Sequence, residues 1–289
     1  MFYNITVKMI RHYEKKKIKT FLNKEMTILD EIIKNKKTEI EKAEKEMPLG
    51  KLMDMPFYNR KTLSVKTRLL SFDKPGIIAE FKRQSPSKGI INNSSAISDV
   101  IKEYEEAGVA AVSILTDNKY FGGNTDDIIS VRNSINIPVL RKEFMITDYQ
   151  VHEAKAIGAD FILLIAACLD KSQAEQLAGL AHELKLDVLI EIHTEEELKN
   201  VPDNVDLVGI NNRNLKTFEV DINTSKQLSL CIPDKYVKIS ESGISNTDPI
   251  CDLWNYGFRG FLIGENFMKT ENPGKSCNIF LDELYKNNF

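Results

Sequence analysis

Eight short runs of apolar residues recur along the chain, and each is typical of a buried β-strand. Successive runs lie about one strand–helix unit apart, which is the spacing that parallel strands with crossover connections require. We therefore expect parallel strands that alternate with helices. The predicted strands are residues 77–81, 110–115, 138–140, 161–166, 188–192, 207–210, 236–239 and 260–263.

Segments with helical spacing of apolar residues lie between and after these runs. Three of them end at a glycine in the usual C-cap position, namely Gly108, Gly158 and Gly257. Eight strands alternating with eight helices predict an α/β fold, the (β/α)8 TIM barrel. A doubly wound open sheet is the rival architecture, but it would more often carry a G-x-G-x-x-G motif after the first strand, and the sequence has none. The predicted helices are residues 96–107, 126–134, 149–157, 172–184, 195–199, 223–230, 248–256 and 279–286.

The region before the first strand has two parts. Thr27 is a good N-cap for an amphipathic helix over 27–45, and a weaker helical segment lies within 51–75. Residues 1–25 contain seven basic and two acidic side chains and no signal-peptide pattern. They are interpreted as a solvated tail rather than as a targeting or nucleic-acid-binding arm. We expect residues 1–25 to be a poorly ordered extension and residues 26–289 to be one barrel domain with an extra N-terminal helical segment.

Composition narrows the class of protein. The 39 Lys and Arg residues nearly balance the 42 Asp and Glu residues, so a generally basic nucleic-acid-binding surface is not indicated. The four cysteines lie far apart without a C-x-x-C pair, as expected for reduced thiols in the cytoplasm. The longest apolar run is far shorter than the ~20 residues of a membrane helix. We expect a cytoplasmic protein with neither a nucleic-acid nor a membrane partner.

Polar side chains end five of the predicted strands. Side chains alternate along a strand, and each of these polar residues has the same parity as an apolar residue or a glycine that comes before it in the strand. If the apolar residues face the barrel interior, the polar groups converge at its C-terminal mouth, where barrel enzymes have their active sites. The residues are Glu80 and Lys82, Lys142, Glu191, Asn211 and Arg213, and Glu241.

This set favours acid–base chemistry on an anionic substrate. It combines lysines with glutamates and includes no histidine or cysteine. A metal held by carboxylates alone would be disfavoured by the three cations beside them, so a metal site is not expected. Burial and like-charged neighbours can lower the pKa of a lysine and raise that of a glutamate until each exchanges protons near neutral pH.

Two glycine-containing segments are typical of a phosphate site. Ser242 and Gly243 follow the seventh strand, and Gly264 and Glu265 follow the eighth strand and precede a short helical turn over 266–269. Glycine lets backbone N–H groups approach an anion, and barrels often bind phosphate at these two loops. Each segment alone could be a plain tight turn with a capping glycine, but the pair favours phosphate.

Several segments resemble motifs of the indole-3-glycerol phosphate synthase family of tryptophan biosynthesis. The first-strand segment IIAEFKRQSPSKG (77–89) is the first of these matches. The resemblance runs in register from about Thr27 to the end of the chain and leaves residues 1–25 outside it. The other segments are SILTD (113–117), YFGG (120–123), PVLRKEFMITDYQVHEAKAIGAD (138–160), LIEIHTEEEL (189–198), GINNRNLKTFEVD (209–221), ISESGIS (239–245) and FLIGENFM (261–268).

The resemblance implies a reaction without cofactor or metal. Such an enzyme is a carboxy-lyase that converts 1-(2-carboxyphenylamino)-1-deoxyribulose 5-phosphate to indole-3-glycerol phosphate, with release of carbon dioxide and water. By the family pattern, Lys142 is the acid that protonates the ketone oxygen in ring closure, and Lys82 is the acid for dehydration. Glu191 and Glu80 are the bases, and the resemblance leaves open which acts at which step.

The remaining roles implied by the resemblance concern binding. Asn211 and Glu241 hold hydroxyls and charged partners, and Arg213 meets the anthranilate carboxylate. We expect the side chain of Glu265 to turn away from phosphate, because a carboxylate would repel it. The implied phosphate contacts are Ser242, Gly243, Gly264 and Glu265, and the implied contacts to the rest of the substrate are Ser85, Pro86, Ser113, Phe121, Phe144, Leu163 and Leu215.

Three alternatives stay open at this point. The helix over 27–45 resembles the family's extra N-terminal helix, which covers the mouth, but its apolar stripe could equally be core packing. The rival functions are the pathway isomerase that makes this substrate and a non-catalytic barrel that binds a phosphorylated ligand or RNA. We expect one partner, a phosphorylated aromatic small molecule, and a monomer or weak homodimer.

Overall fold

Eight parallel strands hydrogen-bond into a closed barrel in the computed structural model, which describes residues 27–215 and 217–289. The last strand pairs with the first, with Leu262 opposite Ile78. The predicted barrel is confirmed, and closure excludes the open-sheet rival. The strands are β1 (Gly76–Phe81), β2 (Ala111–Leu115), β3 (Val139–Lys142), β4 (Phe161–Ile165), β5 (Asp187–Ile192), β6 (Leu207–Asn211), β7 (Val237–Glu241) and β8 (Phe258–Ile263).

Helices connect the strands and surround the barrel. The segment predicted as a helix over 195–199 is a short 3₁₀ helix (Glu196–Asn200), and the weak segment within 51–75 contains two short helices. The helices are α1 (Ile28–Glu46), α2 (Leu49–Met53), α3 (Val65–Leu70), α4 (Ile97–Ala107), α5 (Asn118–Phe121), α6 (Thr125–Arg132), α7 (Asp148–Ile157), α8 (Lys171–Glu183), α9 (Asn223–Ser229), α10 (Asp248–Trp254), α11 (Glu265–Met268) and α12 (Pro273–Asn288).

Apolar side chains with the predicted parity fill the inside of the barrel. Ile78, Leu140, Leu189 and Ile239 pack there, each two residues before the polar side chain that ends its strand. Since alternate side chains share a face, the polar ends of these strands point into the C-terminal mouth. The parity argument is therefore confirmed by the packing.

Helix α3 closes the opposite end of the barrel. Leu69 is fully buried there, next to Gly76 of β1 and Gly260 of β8. A Cβ atom on Gly76 would lie 2.3 Å from Leu69 Cδ2, and one on Gly260 would lie 3.2 Å from Leu69 Cδ1. The two glycines thus make room for the side chain that seals the floor.

A buried ion-pair network lies at the same N-terminal end of the strands. The Asp160 carboxylate contacts Arg132 Nη1 at 2.6 Å and Arg60 Nη2 at 2.5 Å, and it accepts hydrogen bonds from the backbone N–H groups of Leu63 and Val139. Asp160 is completely buried, so these partners are what make its charge tolerable. The network joins the segment before the barrel to strands β3 and β4.

Helix α1 packs across the mouth from outside the barrel. Thr27 and Asp30 form a capping box, which satisfies the free N–H groups at the helix start. Ile40 packs against Leu52 and Tyr149, whereas the first turn of the helix faces the mouth. Helix α1 therefore both covers the mouth and packs against the core. The prediction for residues 1–25 lies outside the described residues, and among those described no helix has the length and apolar character to cross a bilayer.

Candidate active site

A cavity of about 650 Å³ opens at the C-terminal end of the barrel. That volume suits a small organic ligand. Its floor and walls come from strand ends, from the loops that follow them and from the start of α1, which contributes Ile28, Leu29 and Ile32. These three α1 side chains were not predicted to be at the site.

Lys142 lies at the centre of three buried carboxylates. Its Nζ donates a hydrogen bond to Glu241 Oε2 at 2.7 Å and lies 3.7 Å from both Glu80 Oε2 and Glu191 Oε2. The four residues come from four different strands. None of the three glutamates is more than 4% exposed, so the charges interact with little screening by water.

The charge state of Lys142 differs from the expectation. Burial by itself would lower the pKa of this lysine, but the carboxylates of Glu241, Glu80 and Glu191 outweigh it and raise the pKa above the ordinary value. A lysine pKa lowered by burial is therefore not found at Lys142. Lys142 is a fixed ammonium at neutral pH, poised to stabilise negative charge on a ligand.

The two glutamates on either side of Lys142 respond in opposite directions. Burial, with the charge of Glu191, raises the pKa of Glu241 to about 7, although Lys142 opposes the shift. For Glu191, burial alone would raise the pKa, but the adjacent His193 imidazole and the charge of Lys142 lower it. Glu241 is thus the carboxyl that exchanges a proton near neutral pH, while Glu191 stays ionised.

His193, which directly follows β5, supports Glu191. Its Nε2 lies 3.2 Å from Glu191 Oε1 and its Nδ1 lies 3.2 Å from Glu197 Oε2. Burial would lower the pKa of this imidazole, yet the two glutamates raise it to about 10. His193 was not among the predicted site residues, although it shares the parity of Glu191 and could have been found from that.

Lys82 and Glu80 form a second ion pair on β1 and the loop after it. Lys82 Nζ donates to Glu80 Oε1 at 2.6 Å, and the lysine side chain is 18% exposed, so it reaches toward the cavity. Burial would raise the pKa of Glu80, but Lys82 and Lys142 lower it. A short antiparallel hairpin follows, and Arg83 anchors it through both guanidinium ends to Asp127.

Cations also line the rim above these groups. Arg213 Nη2 lies 3.6 Å from Glu265 Oε2, and Lys88 Nζ lies 3.7 Å from Glu265 Oε1. The Glu265 side chain therefore lies between two cations at the mouth. Asn211 Oδ1 accepts the backbone N–H of Arg213, which orients the amide beneath the arginine.

The two predicted phosphate segments are tight turns with close backbone approach. Ser242 and Gly243 both have positive φ, 69° and 80°, and a Cβ on Gly243 would lie 2.4 Å from Val220 Cγ1. A Cβ on Gly264 would lie 2.5 Å from Glu80 Oε1. Backbone N–H groups at the start of α11 have no helical partner and so are free to meet an anion.

Aromatic rings form one wall of the cavity. The rings of Phe121 and Phe144 have their centroids 6.0 Å apart. Ser113, by contrast, does not line the cavity: it is fully buried in β2, level with Glu80 and Leu140. Every other predicted site residue lines it: Glu80, Lys82, Ser85, Pro86, Phe121, Lys142, Phe144, Leu163, Glu191, Asn211, Arg213, Leu215, Glu241, Ser242, Gly243, Gly264 and Glu265.

Comparison with known proteins gives a consistent result. Residues 29–279 match the family model described as indole-3-glycerol phosphate synthase. A protein of that name from Bacteroides thetaiotaomicron is 46% identical over 257 residues, 89% of this chain and 98% of the relative. One from Polaromonas sp. is 42% identical over 251 residues, 86% of this chain and 95% of the relative.

A solved structure extends the comparison to the fold. The tryptophan synthase alpha subunit from Legionella pneumophila superposes with a TM-score of 0.57 at 10% sequence identity. The match covers 77% of this chain and 95% of that one. At so low an identity the likeness concerns the barrel architecture alone.

Proposed function

This chain belongs to the indole-3-glycerol phosphate synthase family, and from that premise we propose how its residues divide the reaction. The chain is a carboxy-lyase of tryptophan biosynthesis that acts on a phosphorylated small molecule. Its substrate, 1-(2-carboxyphenylamino)-1-deoxyribulose 5-phosphate, undergoes ring closure, decarboxylation and dehydration to indole-3-glycerol phosphate. The family assignment disfavours both the isomerase and the non-catalytic barrel.

One observation carries the assignment of roles: the ammonium of Lys142 lies among Glu80, Glu191 and Glu241 at the floor of the cavity. In ring closure the aromatic carbon that bears the carboxylate attacks the ketone, and negative charge develops on the ketone oxygen. A fixed ammonium stabilises that charge and delivers the proton as the alkoxide forms. The raised pKa of Lys142 keeps the ammonium charged until the alkoxide, a much stronger base than a carboxylate, takes its proton.

Dehydration is assigned to Lys82. After carbon dioxide leaves and the benzene ring regains aromaticity, the hydroxyl formed from the ketone must depart as water. Lys82 reaches into the cavity from the loop after β1 and is held by Glu80, so it can protonate the leaving hydroxyl. Glu191 and Glu80 are the bases: one takes the proton of the ring carbon next to the nitrogen as water departs, and any proton taken from the nitrogen is returned, since the indole product keeps its N–H.

Binding groups surround these acids and bases. The phosphate meets backbone N–H groups at Ser242–Gly243 and Gly264–Glu265, where glycine permits close approach. Arg213 pairs with the carboxylate of the substrate. Asn211 and Glu241 hold the hydroxyls of the substrate. The aromatic ring lies against the wall formed by Phe121, Phe144, Pro86, Leu163 and Leu215.

Incubation of the purified chain with the carboxyphenylamino substrate tests this function. Indole fluorescence should appear together with one carbon dioxide per substrate consumed. Absence of indole product from folded protein would refute the activity. We propose that the enzyme is cytoplasmic, since its four cysteines are free thiols. We also propose that it is a monomer or weak homodimer, which sedimentation analysis would test.

A further inference from the structure

A buried lysine on the N-terminal helix reaches into the loops that wall the cavity. Lys36 lies on α1, outside the eight strand–helix units, yet its side chain is only 5% exposed. Its Nζ lies 2.9 Å from Asp117 Oδ2, 3.0 Å from Glu143 Oε1 and 2.5 Å from Glu39 Oε2. Asp117 follows β2 and Glu143 follows β3, so the ammonium joins two active-site loops to α1.

Asp117 fixes the loop that carries Phe121, the first aromatic ring of the cavity wall. Its side chain is the N-cap of α5 and accepts the backbone N–H of Tyr120 at 2.8 Å. Its backbone carbonyl accepts the N–H of Gly123 at 2.8 Å, which closes the loop behind the helix. Phe121 is the last residue of this one-turn helix, so its position depends on that cap.

Glu143 fixes the backbone of Phe144, the second aromatic ring of the cavity wall. The same oxygen that faces Lys36 accepts the backbone N–H of Phe144 at 2.9 Å. The other carboxylate oxygen accepts the hydroxyl of Thr116 at 2.7 Å, which ties the loops after β2 and β3 together. Glu143 also directly follows Lys142, the proposed ring-closure acid.

The charges explain why this arrangement needs the lysine. Asp117 and Glu143 are 0% and 4% exposed, and two unneutralised carboxylates so close together would repel each other. Burial alone would lower the pKa of Lys36, but Glu143, Asp117 and Glu39 raise it, so it stays an ammonium. Burial raises the pKa of Asp117, with Lys36 opposing the shift.

We propose that Lys36 is a positioning residue for aryl recognition: its ammonium, inserted between Asp117 and Glu143, sets the spacing of Phe121 and Phe144. This inference rests on the proposed placement of the substrate ring against those two side chains. Lys36 does not line the cavity, so it acts through the two carboxylates. The N-terminal helix thereby determines the shape of the ring site while leaving the phosphate turns, on the far loops after β7 and β8, to their own backbone geometry.

Lys36→Met tests the proposal, with Lys37→Met as the matched control, because Lys37 is exposed on the same helix. Two competitive inhibitors serve as probes. Indole-3-glycerol phosphate contains an aromatic ring and a phosphate, whereas ribulose 5-phosphate contains no ring. In Lys36→Met the inhibition constant of indole-3-glycerol phosphate should rise about tenfold or more, since contacts of a buried aromatic group are lost. That of ribulose 5-phosphate should stay within about twofold.

The outcomes separate a positioning role from a merely structural one. A ring-specific loss, with Lys36→Arg recovering most of the affinity and Lys37→Met unchanged, supports the proposal. Parallel weakening of both probes, or no change in either, overturns it. If Lys36→Met does not fold, Lys36→Met combined with Asp117→Asn removes one buried charge of each sign, keeps a capping side chain and carries the same test. Wild-type turnover reports separately on the proposed function.

Discussion

Lys142 Nζ donates a hydrogen bond to Glu241 Oε2 at 2.7 Å, which joins the end of β3 to the end of β7 across the mouth of the barrel. The pair is almost fully shielded from water. It holds the proposed ring-closure acid in one place before substrate arrives. Because burial raises the pKa of Glu241 to about 7, the strength of this contact changes with pH in the neutral range.

The pH dependence of kcat/KM should report this pair. Above about pH 7 Glu241 is ionised and orients Lys142, so activity should rise with pH along an acidic limb near 7. In Glu241→Gln that limb should move to lower pH. A hydrogen bond to a charged group contributes about 1.5–3 kcal/mol, so kcat/KM should also fall roughly tenfold to a hundredfold. An acidic limb that is unchanged in the variant would contradict the assignment.

The free energy of unfolding should also depend on pH through Glu241. Folded Glu241 keeps its proton from its ordinary value of 4.5 up to about 7, whereas the unfolded chain has lost it in that range. Its contribution to stability is therefore fully present below about pH 4.5 and lost as pH rises through 7. The free energy of unfolding of Glu241→Gln relative to wild type should increase between those two values. Urea titrations at several pH values measure the difference, and a constant difference would refute it.

Substitution of Gly264 should change both KM and kcat. A Cβ at this position would lie 2.5 Å from Glu80 Oε1, so Gly264→Ala must displace Glu80 as well as the turn proposed for phosphate. We expect KM to rise and kcat to fall, each by about tenfold, since small misplacements at an active site are costly. Gly50→Ala is the matched control, because nothing lies within 4 Å of that position. Equal kinetics for the two folded variants would rule out this geometry.

Asp160 should matter for stability and not for chemistry. It lies at the floor of the barrel, completely buried between Arg60 and Arg132. Asp160→Ala leaves Arg132 buried without its partner, which typically costs about 3–5 kcal/mol, or roughly 5–10 °C in Tm. Asp203→Ala, at an exposed pair with Lys235, should leave Tm unchanged. Calorimetry tests both, and kcat of folded Asp160→Ala at low temperature should match wild type.

Removal of residues 1–25 should leave activity within about twofold, since α1 begins with its own capping box at Thr27 and Asp30. The truncated enzyme needs only steady-state kinetics and a thermal melt. Loss of most activity would show instead that the basic tail supports the site.

Fold and site could be predicted from local patterns to different degrees. Each apolar strand run is a local signal, and the parity of Leu140 with Lys142, or of Leu189 with Glu191, placed the charges at the mouth without any long-range information. Lys36 could not be found in this way. A lysine on the buried face of α1 contradicts the helix pattern, and its partners Asp117 and Glu143 are remote in sequence. The raised pKa of Lys142 also could not be predicted from the sequence, because three carboxylates outweigh burial and that depends on distances between strands.

Lys82 provides the internal comparison for the acid assignments. The loss of overall activity in Lys82→Ala should be severe, but ring closure should still proceed. Rapid-quench analysis should then find the ring-closed, undehydrated intermediate in place of unreacted substrate. Accumulation of substrate alone would mean that Lys82 acts before ring closure.

The kcat of Lys142→Ala, measured where chemistry limits the rate, tests the account most directly. General acid help is worth about 10²–10⁴-fold, and loss of the ammonium's electrostatic stabilisation adds to it. We expect kcat to fall by at least that range while KM stays within about tenfold, because phosphate and ring contacts remain. Lys142→Arg should not restore activity, since a planar guanidinium cannot take the place of a compact ammonium among three carboxylates. A folded Lys142→Ala enzyme that retains more than about a tenth of wild-type kcat would contradict the account and make Lys82 the better ring-closure acid.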